Sequence, residues 1–215
     1  MTERSSGRLP LSAIAAAFAG IIGSVYCLNI RSIFEFMHWY SFSGVNNLSY
    51  ESFNTLLTFF GIVLFIYYAM YLVMAVQIVM NIDNHVTAVL GVMAGAKLTA
   101  VGMMFAAGSS MLFQFGFEAF LEIAAIVTLM LMRKRIRKDP GVYQSRFSVG
   151  IIASLAEAIP LIRNIQYLML DEVNAGIRIS LIILPIVTAA ALFLCTLRAL
   201  KPYEPVEDEM SEAVQ

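Results

Sequence analysis

A lysine stands at the midpoint of a long apolar run. The run covers residues 86–107, and Lys97 is its only charge. The next run, residues 111–132, carries Glu122 at its own midpoint and Glu118 one turn before it. A charge at bilayer depth costs roughly 2.5–3.5 kcal/mol on insertion scales, so such residues face a bundle interior and pair there. This points to one architecture: an all-α integral membrane bundle folded around a charged centre. Composition agrees. Of the 215 residues, 60% are apolar and 13% charged, against about 25% charged in soluble domains.

Six runs are long enough to cross a hydrocarbon core of about 30 Å. They are expected at residues 9–30, 55–80, 86–107, 111–132, 147–170 and 177–197. Ala17-Phe18-Ala19 imitates a signal cleavage site, but the apolar run continues past it, which reads as an uncleaved first helix. Basic residues orient the bundle. With the N-terminus inside, one side collects Arg4, Arg8, six bases between Arg133 and Arg146, Arg198 and Lys201, and the other only Arg31 and Arg178. Ten against two predicts cytoplasmic N- and C-termini in a plasma or inner membrane. Residues 1–201 then form one six-helix transmembrane domain, and the acidic segment 202–215 a disordered cytoplasmic tail.

The connections carry little chemistry. Residues 31–40 are amphipathic and end in Trp39-Tyr40, a membrane-interface pair. Residues 41–54 form the one long polar connection. Asp83 and His85 precede the third span as helix-capping residues, and two ligands in a turn do not make a metal site. Cys27 and Cys195 fall near opposite ends of the bundle, so no disulfide is expected.

Candidate function rests on Lys97, Glu118, Glu122, Glu157 and Arg163. At about 1.5 Å per residue, Lys97, Glu122 and Glu157 share one depth, with Glu118 and Arg163 nearer the outer side. Matching depth pairs Lys97 with Glu122 and Arg163 with Glu118, which leaves Glu157 unpaired. A lone buried carboxylate binds a proton or a cation. The expected function is therefore binding or transport of a small solute or ion, with Asn164 and Gln166 at the outer rim of the site. No Ser-His, Cys-His, clustered histidine or phosphate-loop pattern is present, so neither an enzyme, a cofactor nor a metal is expected. The basic stretch 133–138 is accounted for by orientation. The bilayer, not nucleic acid, is its expected partner.

A second reading makes the chain a non-catalytic subunit or assembly factor of a larger membrane complex. Small residues recur on the first helix at Ala13, Ala17, Gly20 and Ser24, and on the third at Gly91 and Gly95. Such faces admit another helix closely in lipid, from a membrane-protein partner or a second copy. Six spans, a long first outer loop and the Ala13–Ala17 or Ala15–Ala19 spacing also resemble the substrate-binding subunits of energy-coupling-factor vitamin transporters. That resemblance implies docking of the first helix onto a coupling protein. It does not extend to a vitamin-pocket signature.

Overall fold

The computed structural model describes residues 9–29, 50–80, 82, 86–106, 112–138, 146–168 and 175–200. The amphipathic stretch, most of the polar connection, the Asp83–His85 cap and the acidic tail lie outside the described residues. Among the described residues six α-helices run in chain order: α1 (Leu11–Leu28), α2 (Tyr50–Val79), α3 (Val86–Ala106), α4 (Leu112–Lys138), α5 (Arg146–Leu168) and α6 (Ala175–Ala199). No strand occurs among the described residues. Two boundaries correct the sequence reading. α2 begins at Tyr50, inside what reads as a polar connection, and α4 continues helically through the basic stretch to Lys138. Lys and Arg are good helix formers, so a basic run extends a helix as readily as it ends one.

Three helices contain stretches long and apolar enough to cross a membrane: Leu11–Leu28, Asn54–Val79 and Ser180–Ala199. The expectation of six is therefore met by three among the described residues. α3 holds a shorter apolar stretch, Ala88–Met103, and α4 and α5 each interrupt their apolar sequence with several charges.

Each helix packs on its neighbours in the chain, and α6 closes onto α1, which makes a ring of six. Two of its neighbouring pairs run in opposite directions. Gly20 faces Leu72 and Gly23 faces Tyr68, so α1 and α2 are antiparallel, and Gly150 against Phe193 sets α5 against α6 in the same way. The start of α1 and the ends of α2 and α6 meet at one end of the bundle. There Cys195 Sγ lies 3.7 Å from Ser12 O, and Arg198 Nη2 donates to Ile78 O at 3.4 Å. Cys27 and Cys195 are buried free thiols, as the sequence leads one to expect.

The buried side of α1 is Ser12, Ala13, Ala16, Ala19, Gly20, Gly23 and Cys27. It is the small-residue face, rotated slightly from the expected ridge, so that Ala17 and Ser24 sit at its edge. This face meets α2 and α6 within the bundle.

Polarity is distributed opposite to that of a soluble domain. Phe18, Phe59, Leu98, Phe105, Phe120, Leu155 and Ile186 are all exposed, so every helix shows large apolar side chains outward. Monomeric soluble proteins rarely expose contiguous apolar patches above a few hundred Å². The hydroxyls of Ser24, Thr58, Thr99, Thr128 and Thr188 each donate to a carbonyl one turn back on their own helix. That bond satisfies a hydroxyl where water is absent.

Candidate functional site

α2, α3 and α5 position the polar centre. Along α2, Phe60, Leu64, Tyr67, Tyr71, Met74 and Ile78 are buried at helical spacing, so one stripe of the helix faces inward. Tyr67 and Tyr71 are consecutive turns of that stripe, and neither is more than 1% exposed. Lys97 lies at the middle of α3 with 9% of its surface exposed, and Glu157 at the middle of α5 with 3%.

These residues come together. Lys97 Nζ lies 3.8 Å from Glu157 Oε1. The Tyr67 hydroxyl donates to the same carboxylate oxygen. The Lys97 ammonium also stands 4.5 Å from the centroid of the Tyr67 ring, within reach of a cation–π attraction. The Tyr67 and Tyr71 hydroxyls are 3.5 Å apart. Tyr68 packs edge-on against Tyr67, and Tyr26 of α1 packs edge-on against Tyr68. Since α5 is not a ring neighbour of α2 or α3, these contacts cross the inside of the ring.

Glu157 is therefore not the unpaired carboxylate. Its carboxylate lies beside Lys97, while the side chain of Glu122, the partner expected from depth, lies outside the described residues. Depth alone places two carboxylates, Glu122 and Glu157, level with Lys97, and which of them it meets depends on rotation about each helix axis. α3 and α4 are apolar around most of their circumference, so their sequences do not specify that rotation. The side chains of Glu118, Glu122, Arg163, Asn164 and Gln166 lie outside the described residues, and with them the Glu118–Arg163 pair and the outer rim. Their backbone positions fall within α4 and α5.

The tyrosines were missed as site residues. The signal was present, an i, i+4 pair of Tyr at the depth of the charges on an otherwise almost wholly apolar span. A hydroxyl at that depth needs a partner.

Of the docking residues, Ala13 is buried in the core and Ala17 packs against it. Gly91 and Gly95 behave differently. Both are exposed, and a Cβ added at either would meet no atom within 4 Å. Among the described residues no group of three His, Cys, Asp or Glu side chains is arranged to hold a metal.

Chemically, the centre is a desolvated acid–base pair. Glu157 receives two donors on one oxygen, and a proton passed between the members would remove both charges together. Compared with protein-family models, curated proteins and solved structures, the chain matches none.

Proposed function

We propose that the chain is a six-span membrane protein, with both termini cytoplasmic, that binds or transports a small solute or ion at the Lys97–Glu157–Tyr67 centre. One observation carries the reading. A lysine and a glutamate are paired almost out of reach of solvent, on helices that are not neighbours, inside a bundle whose outer surface is apolar. Replacing a buried ion pair by packed apolar residues is often neutral or stabilising, so stability alone does not account for keeping one. In membrane bundles such charges mark pathways and sites. The six-span topology is supported by the ring, because α3, α4 and α5 complete the circle that the three long apolar helices begin.

Native mass spectrometry of gently extracted protein tests the reading directly. A small molecule or ion should be retained by the parent and lost from Glu157→Gln, which keeps the side chain's size and an acceptor for Tyr67. The variant should still elute as a single folded species. Equal retention by both proteins would remove Glu157 from the site.

The open face of α3 favours a second reading, a subunit of a larger membrane complex. Gly91 and Gly95 leave space for a helix from another chain. Gly95→Leu should then release a co-purifying protein, while Ala17→Leu, placed against the core, should disturb the fold instead. Retention of every partner by Gly95→Leu counts against this reading.

A further inference from the structure

We infer that the ion exchanged at this centre is a proton, and that Tyr71 and Tyr67 relay it along α2 to Glu157. The inference rests on the solute-handling reading and names its coupling ion.

The described donor set suits a proton better than a metal cation. Hard cations take about six or more oxygen ligands, whereas the described contacts of Glu157 Oε1 are an ammonium and a phenolic hydroxyl, both donors. Lys97 occupies the place beside the carboxylate where a cation would sit, and its own charge repels one. A proton needs neither space nor ligands. It needs a chain of groups that both donate and accept, and a hydroxyl is the side-chain group that does so without net charge.

Tyr67 and Tyr71 form that chain. A proton arriving from water joins Tyr71 as the Tyr71 proton moves to Tyr67 and the Tyr67 proton moves to Glu157 Oε1. Three O–H bonds form and three break, hydronium becomes water, carboxylate becomes carboxylic acid, and no electrons are exchanged. Rotation of the two hydroxyls resets the relay. The direction follows from the helix, since Tyr71 is one turn, about 6 Å, nearer than Tyr67 to the end where Arg198 meets Ile78. Beyond Tyr71 the same stripe carries Met74 and Ile78, both buried. They separate Tyr71 from that end along the stripe, so Tyr71 is the first hydroxyl of the α2 stripe on that side.

Among the described residues, α3 contributes Lys97 to the surroundings of Glu157 and α2 contributes the tyrosines. Glu118 and Glu122 on α4 and Arg163 on α5 have side chains outside the described residues. On α6, Cys195 and Arg198 are at the far end, beside Ser12 and Ile78.

The test is a rapid pH jump on the full chain in lipid nanodiscs, read by time-resolved infrared absorption of the protonated carboxyl. Loss of one band in Glu157→Gln assigns it. Tyr71→Phe leaves both described partners of Glu157 in place, so its equilibrium titration should match the parent while proton uptake slows about tenfold or more. Tyr67→Phe should slow uptake and also move the titration. Parent-like uptake rates in both variants would overturn the relay. A band suppressed by sodium or potassium chloride at fixed pH would overturn the proton in favour of a metal cation. A parent showing no assignable Glu157 band at any pH would also overturn it. Solute retention in the mass-spectrometric experiment would stand or fall separately.

Discussion

Lys97→Met should lower the unfolding free energy by about 3–5 kcal/mol, because it removes the described counter-charge of the buried Glu157 carboxylate. Reversible unfolding in mixed micelles measures this. The informative comparison is with the double variant Lys97→Met/Glu157→Met. Two methionines fill similar volume, need no counter-charge, and leave Tyr67 its neighbour Tyr71. The double variant should recover the parent's stability or exceed it, and should bind no solute. A single variant that costs less than about 1 kcal/mol would mean that water reaches the pair, as at surface ion pairs. A double variant that remains as unstable as the single would make the pair a packing device rather than a site.

The second large effect belongs to a glycine. A Cβ built on Gly23 would lie well inside contact distance of Cδ1 and Cγ of Tyr68. The Tyr68 ring cannot withdraw freely, because it is held edge-on between Tyr26 and Tyr67. Gly23→Leu should therefore force α1 from α2 and cost more than the roughly 1–3 kcal/mol usual for overpacking. Because Tyr67 packs on the same ring, the disturbance should reach Glu157 and weaken solute retention as well. Gly95→Ala offers the contrast. Its Cβ enters open space, and a helix gains about 0.5–1 kcal/mol when glycine becomes alanine. Melting temperatures of the two variants should move in opposite directions. A rise in both would show that helix propensity, not the approach of α1 to α2, dominates.

These expectations indicate what could be read from residues alone. The helical class and an interior centre at the depth of Lys97 and Glu157 were legible, because apolar length and charge position are one-dimensional properties. Rotation about the helix axis was not. Lys97 could be assigned a depth but not a partner, since α3 is apolar on nearly every side and small residues surround the lysine. α1 was more legible, as its alanines, glycines and serines gather on one side, and that side proved to be the buried one within a residue of register. The end of α4 misled for a different reason. A basic run marks the membrane side by its charge while remaining a good helix by its propensity, and the two signals were read as one. Tyr71 shows how a site residue escapes notice. A buried tyrosine is ordinary core material until its hydroxyl is seen facing another hydroxyl that touches a carboxylate.

Closure of the ring by its first and last helices has a consequence for biosynthesis. The side of α1 that holds Ser12 waits for Cys195, 183 residues later. At about 5–20 residues per second, that interval is roughly 10–40 s, during which one flank of α1 has no mate. A nascent chain released before α6 is made carries an open seam, and the membrane insertion machinery must shield it or tolerate it. The circle is completed only when α6 emerges, so a ribosome stalled before that point holds an arc of α1 to α5. Cys195 and a cysteine introduced at Ser12 would report, by cross-linking, the moment at which the arc becomes a ring.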